Sequence, residues 1–203
     1  MLRRVIKLLV IIVAALLLIP VLVLALSAFE HSRAETEQYQ VYSAYLTHEF
    51  AHDAHDWGEG QGISIIIFQQ TQTADPFWHR FAVPEPWSFI KQTQRSTRIS
   101  FRLAGLFSTR LEPKFALPKS VEYHLLAREE LDRLTSLPGE FEKQFPNNLG
   151  SIGLSAVGFN SNRTEALFYI NHYCGLCGGG RYVLMKKVKG NWEIAAERYT
   201  WWS

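Results

Sequence analysis

The sequence predicts an α+β fold. An N-terminal transmembrane helix is followed by one domain whose C-terminal four-stranded antiparallel meander is covered by helices. Three observations predict it. No charge interrupts the run from Leu8 to Phe29, residues 38–56 keep a helical period, and the last quarter holds four strand-like runs separated by turn residues.

The first element is the anchor. A run of about 20 apolar residues rising ~1.5 Å each matches a hydrocarbon core of ~30 Å. Backbone groups in lipid must pair internally, so the run should be helical, and Pro20 is tolerated as a kink. Arg3, Arg4 and Lys7 precede it, while Glu30, Glu35 and Glu37 follow it with Arg33 among them. A Lys/Arg excess stays in the cytoplasm, which puts the N-terminus inside and the domain on the periplasmic or extracellular side. The rival reading is a cleaved signal peptide, with small residues near Ala25-Leu26-Ser27. Signal-peptide apolar regions are shorter, ~7–15 residues, so the uncleaved anchor is favoured. No cysteine lies near the end of the run, which excludes a lipoprotein anchor.

Residues 1–29 are thus read as a cytoplasmic stub and anchor, and 30–203 as the extracytoplasmic domain. Three of the 21 Lys and Arg precede the anchor, so the domain carries 18 against 19 Asp and Glu. That near-neutral balance argues against nucleic acid as a partner. Six Trp, eight Tyr and thirteen Phe mark a folded globule.

Within the domain, Val41, Tyr45, His48, His52 and His55 form one helical stripe, with Tyr42, Leu46 and Phe50 beside it. Gly58, Gly60 and Gly62 end that helix. Residues 63–68 (ISIIIF) read as a strand buried on both faces. An aromatic loop over 75–87 follows, with Pro86 suited to open a short helix through about Arg95. The next stretch is ambiguous: Ile99, Phe101 and Leu103 alternate like a strand, yet LAGLF suits a helix. A strand is expected at 120–127, and short helices at about 129–135 and 138–145. SIGLSAVGF, TEALFYINHY, RYVLMKKV and NWEIAAERYTWW then supply the meander, with a tight turn at Gly190-Asn191 and helices over one sheet face. Residues 91–119 are basic, with Glu112 the single acid. A solvated face balanced by acids elsewhere is favoured, with contact with anionic lipid or an acidic partner as the alternative.

The last 65 residues resemble a group of bacterial extracytoplasmic proteins of unknown function. The shared pattern stands here as a Phe-rich helix ending in Pro (Phe141 to Pro146), GLSAVGFN (Gly153 to Asn160) and TEALFY (Thr164 to Tyr169). The hairpin from Leu176 to Leu184 and the closing strand from Gly190 to Ser203 complete it. The resemblance implies an α+β domain outside the cytoplasm and brings no activity or ligand.

Two motifs carry chemistry. His48-Glu49-Phe50-Ala51-His52 is an HExxH on a predicted helix. Histidines at i and i+4 can hold one Zn²⁺ while the glutamate serves as general base on the metal-bound water. Glu49 is therefore the candidate catalytic residue, and His48 and His52 the candidate metal ligands. Against this, His55 stands where the longer metzincin pattern has Gly, and Gly58 where it has its third His. His55 also lies about 10 Å along the axis from His48. A third ligand would come from Glu59, Asp75, Glu85, His79, His124 or His172. The reading favoured is a polar, partly exposed helix end with no metal, and the zinc site is the alternative. The second motif is Cys174-Gly175-Leu176-Cys177. A thioredoxin-like site needs a helix after the pair, and here glycines and a strand follow. A small disulfide in an oxidising compartment is favoured, with metal-bound or redox-active thiols as alternatives. The function expected is a non-enzymatic binding or envelope-associated module with no cofactor, its protein or small-molecule partner open. A zinc-dependent hydrolase is the alternative.

Overall fold

Tyrosines and an alternating isoleucine strand decide how this chain packs. A computed structural model describes residues 34–50, 62–72, 92–174 and 177–202. The chain divides into two compact units, Met1–Gln38 and Tyr39–Ser203. Of the first, only 34–38 are described, as the opening turns of helix α1 (34–50). The predicted anchor, His52, His55 and the 75–87 loop lie outside the described residues. Among those described, no helix is long and apolar enough to cross a membrane.

The second unit is a mixed sheet with few helices. Its described strands are β1 (Ile63–Phe68), β2 (Val121–Leu126), β3 (Asn148–Leu154), β4 (Gly158–Phe159), β5 (Glu165–Tyr173), β6 (Gly178–Val188) and β7 (Asn191–Trp202). The order is β2-β1-β3-β5-β6-β7, with β4 paired to β5. The predicted meander is present as β3, β5, β6 and β7, each antiparallel to the next. Strand β1 extends it, running parallel to both β2 and β3. Parallel neighbours need long crossovers, and helices α3 (Arg128–Thr135) and α4 (Glu140–Gln144) lie on the connection from β2 to β3. The β6–β7 connection is a two-residue turn at Lys189 (φ 50°) and Gly190 (φ 91°), flanked by the pair Val188 and Asn191. Positive φ at both central residues is what a primed hairpin turn requires.

Helices cover both faces, where the sequence suggested one. Successive strand side chains point to opposite faces. Ile63, Ile65 and Ile67 join the core built on α1, with Phe168 and Ile170. Ile66 instead packs with Leu134 of α3 and Phe145 after α4. Leu167, Tyr169 and Leu184 pack with Phe101 of α2 (Arg95–Ala104). A strand buried on both sides is what the unbroken ISIIIF run demands.

Aromatic edges knit α1 to the sheet. Tyr42 and Tyr45 each meet the Phe168 ring edge-on, at 5.6 and 5.3 Å. The Tyr42 and Ser43 hydroxyls that enter this core find partners, whereas the buried Trp192 Nε1 has none among the described residues. The Tyr42 hydroxyl donates to the Ser155 carbonyl at 2.5 Å, and the Ser43 hydroxyl accepts from the Ala116 N–H at 2.9 Å. Burial, with Tyr39 beside it, lifts the Tyr42 phenol well above its usual pKa, so it remains a donor. Tyr42→Phe is expected to cost about 1–2 kcal/mol, because it strands a buried carbonyl. Urea unfolding should show a lower midpoint at unchanged slope; an unchanged midpoint would mean that water takes the hydroxyl's place.

Candidate functional site

Arg181 is the most unusual residue of the described structure. It faces the α1 side of β6, in step with Val183 and Met185, and is 6% exposed. A guanidinium there must be matched by anions and acceptors. Four side chains provide them. Its Nη2 pairs with the Glu49 carboxylate. Its Nε–H donates to the Tyr45 hydroxyl at 2.5 Å, Glu197 Oε1 forms an ion pair 2.9 Å from the same nitrogen, and Nη1 donates to the Tyr199 hydroxyl at 3.3 Å. Its guanidinium carbon also stands over the Tyr45 and Tyr199 rings, at 5.5 and 5.1 Å from their centroids, a favourable placement for a cation.

Two local features build this cluster. Tyr45 and Glu49 are one helical turn apart on α1, so both reach the same strand. On β7, Thr200 is an extra residue: Gly180 pairs with Trp201 while Arg181 pairs with Tyr199. Such a bulge re-aims side chains. It sets Tyr199, and Glu197 two residues earlier, on Arg181's face, while Trp201 Nε1 donates to Asn171 Oδ1 at 3.2 Å.

The electrostatics are self-consistent. Burial, then the Glu49 charge, push the Tyr45 phenol far above its ordinary range, and Arg181 only partly counters them. Tyr45 is therefore a neutral hydroxyl, donating to Glu197 at 2.9 Å. Burial opposes the Arg181 charge, but the Glu49 carboxylate and the hydrogen bonds to Glu49 and to the neutral Tyr45 hydroxyl hold the guanidinium above its usual pKa. The cation is thus permanent and all three of its nitrogens are engaged.

This arrangement bears on the HExxH motif. Glu49 pairs with Arg181 through Oε1, and its Oε2 accepts from the Tyr45 hydroxyl at 3.4 Å, so both carboxylate oxygens face partners within the fold. His48 is exposed and borders a shallow hollow with Ala44, Met185, Trp192 and Glu193. The continuous stripe expected through Val41, Tyr45 and His48 ends at Tyr45; burial moves to Leu46 and Phe50. His52 lies outside the described residues. Of the candidate third ligands that are described, the His172 ring nitrogen Nε2 is 2.8 Å from the Leu149 carbonyl, and His124 sits 3.6 Å from Glu122 with its ring 4.8 Å from Phe145. Among the described residues, no three His, Cys, Asp or Glu side chains are grouped to hold a metal.

Cys174 and Cys177 form a disulfide across the β5–β6 turn. The Cys174 N–H also donates to the Cys177 carbonyl at 3.0 Å. The GLSAVGFN segment serves the fold. Ser155 Oγ accepts from the Tyr169 N–H at 2.8 Å, and Asn160 Oδ1 accepts from Thr164 and Glu165 N–H at 2.8 and 3.0 Å.

Arg181 itself was missed from sequence. The signal that finds it is strand parity: 181, 183 and 185 share a face, and two of the three are apolar. Comparison with known proteins adds no identity: no family model, no curated protein and no solved structure matches this chain.

Proposed function

We propose that this chain is a non-enzymatic binding or envelope-associated module, held outside the cytoplasm by a single uncleaved helix over 8–29. The observation that supports the non-enzymatic part is the engagement of Glu49 by Arg181, which gives a fold-internal partner to the residue that the hydrolase-like motif would use as its general base. The uncharged N-terminal run with its cytoplasmic Arg3, Arg4 and Lys7 supports the address. So does the resemblance of the last 65 residues to extracytoplasmic proteins. An oxidising compartment also suits the Cys174–Cys177 bond.

Two measurements on the full chain test this. An alkaline-phosphatase fusion after Ser203 should be active, and the mature N-terminus should still be Met1; an inactive fusion, or a start near residue 27, would refute the tether. The detergent-purified chain, loaded with zinc and desalted, should retain far less than one zinc per chain and cleave no casein. Stoichiometric zinc that disappears in a folded His48→Ala variant would instead establish the zinc reading built on His48, His52 and Glu49.

A further inference from the structure

Helix α2 carries an apolar stripe on its outer side. Ile99 is 49% exposed, Leu103 59%, Leu106 66% and Phe107 74%. Residues four apart lie over one another on a helix, so Ile99 and Leu103 form a line on α2, and Leu106 and Phe107 stand exposed in the turn that follows it, where the Leu106 N–H donates to the Leu103 carbonyl at 3.2 Å. The opposite side, with Thr97 and Phe101 buried, faces the sheet. The stripe is therefore not core turned inside out. It is a second apolar surface on a helix that already has its core contact.

Arginines run along this stripe. Arg95 and Arg102, both exposed, lie on α2 within about 60° of Ile99 around the axis, Arg98 lies about 100° away and is half-buried with its Nε covered, and the exposed Arg110 follows the turn. No Asp or Glu occurs from Thr93 to Leu111. A short helix with apolar side chains on its outer face and cations beside them is built to lie in the plane of a bilayer. The apolar groups enter the acyl boundary and the guanidiniums meet anionic headgroups. Ten residues span only about 15 Å, half a hydrocarbon core, so the helix would lie on the membrane and not cross it.

We infer that the Ile99–Leu103–Leu106–Phe107 stripe docks on the surface of an anionic bilayer. The inference rests on the tether proposed above, because a domain fixed to a membrane meets that surface at high effective concentration and needs only a weak second contact. Charge complementarity selects the occupant. Lipid headgroups satisfy a row of arginines without a matching row of acids, whereas a protein partner would have to supply carboxylates in register.

The test uses the full chain reconstituted through its N-terminal segment into vesicles of phosphatidylcholine, with or without phosphatidylglycerol. Leu106→Cys, labelled with an environment-sensitive nitrobenzoxadiazole dye, reports the stripe; Leu137→Cys, also at an exposed apolar position (42%), is the control. With phosphatidylglycerol, dye emission at 106 should shift to the blue, rise about threefold and be quenched by acyl-chain spin labels, as expected for a side chain entering the interface. The dye at 137 should stay water-like. Arg98→Glu/Arg102→Glu, or Arg102→Glu alone if the pair unfolds by circular dichroism, should return the 106 signal to that of water. A water-like dye at 106 in phosphatidylglycerol vesicles overturns the inference. So does a blue-shifted dye in detergent that strengthens with protein concentration, which would make the stripe a protein contact. Failure of the tether looks different. The chain would wash off neutral vesicles in alkaline carbonate, and docking would then be upheld only if the released chain sediments with phosphatidylglycerol vesicles and not with neutral ones.

Discussion

Replacing Arg181 by Met is expected to destabilise the domain by about 3 kcal/mol, since removing one partner of a buried ion pair leaves uncompensated charge. That is the lower end of the usual range. The Glu49 and Glu197 side chains are 28% and 27% exposed, so both carboxylates can turn partly to water. For a domain of this size the loss lowers Tm by roughly 6–12 °C. The cause is specific and can be separated. If the cost is repulsion and desolvation of two stranded carboxylates, Arg181→Met/Glu49→Gln/Glu197→Gln should be more stable than Arg181→Met alone, against simple additivity. A loss below about 1 kcal/mol in Arg181→Met would place the cluster with ordinary surface ion pairs and would release Glu49 for other chemistry. The same variant thus weighs on the functional proposal. A glutamate kept for structure should cost stability when changed to Gln, whereas a catalytic one should cost activity and leave the melting curve in place.

The local pattern made most elements legible and left their partners hidden. The unbroken apolar run at Ile63–Phe68, the β2 segment and the Lys189-Gly190 hairpin follow from periodicity and turn chemistry, and the structure places them within a residue or so of expectation. The parallel pairing of β1 with β2 and β3 has no local signature, because it depends on two crossovers, one from β1 to β2 that carries α2 and one from β2 to β3 that carries α3 and α4. The ambiguity at 99–103 has a physical cause. Phe101 is buried while Ile99 and Leu103 are exposed, so apolar residues occupy both sides of α2 and imitate the alternation of a strand. A helix with a core on one side and a second apolar surface on the other defeats a rule that assumes one buried stripe. HExxH shows how one spacing can serve two purposes. Its spacing fits a metal, but Glu49 and Tyr45 share that same helical spacing, and the strand opposite them presents a buried cation.

Gly158→Ala is the second change with a large expected effect, and it tests how α2 is held. A Cβ at residue 158 would collide with the backbone nitrogen and Cα of Phe101. Helix α2 lies directly on β4, with the Phe159 N–H donating to Ser100 Oγ at 3.1 Å. Its other end is fixed by Glu165, a buried carboxylate that accepts from the Gln94 N–H at 2.7 Å and the Thr97 hydroxyl at 2.8 Å. Negative charge at a helix N-terminus complements its dipole. The helix is pinned at both points, so it cannot slide away to admit a methyl group without breaking one of them. Overpacking costs about 1–3 kcal/mol in side-chain cores, and backbone meeting backbone should lie at the upper limit, with Tm falling by roughly 6–12 °C. Gly62→Ala is the matched control: its Cβ would meet only the Ser120 carbonyl at 3.6 Å, and the change should stay within about 0.5 kcal/mol. Equal effects at the two sites would show that β4 does not hold α2. If Gly158→Ala is the more damaging, it should also blunt the bilayer response of the dye at residue 106, because a displaced α2 no longer presents Leu103, Leu106 and Phe107 as one surface.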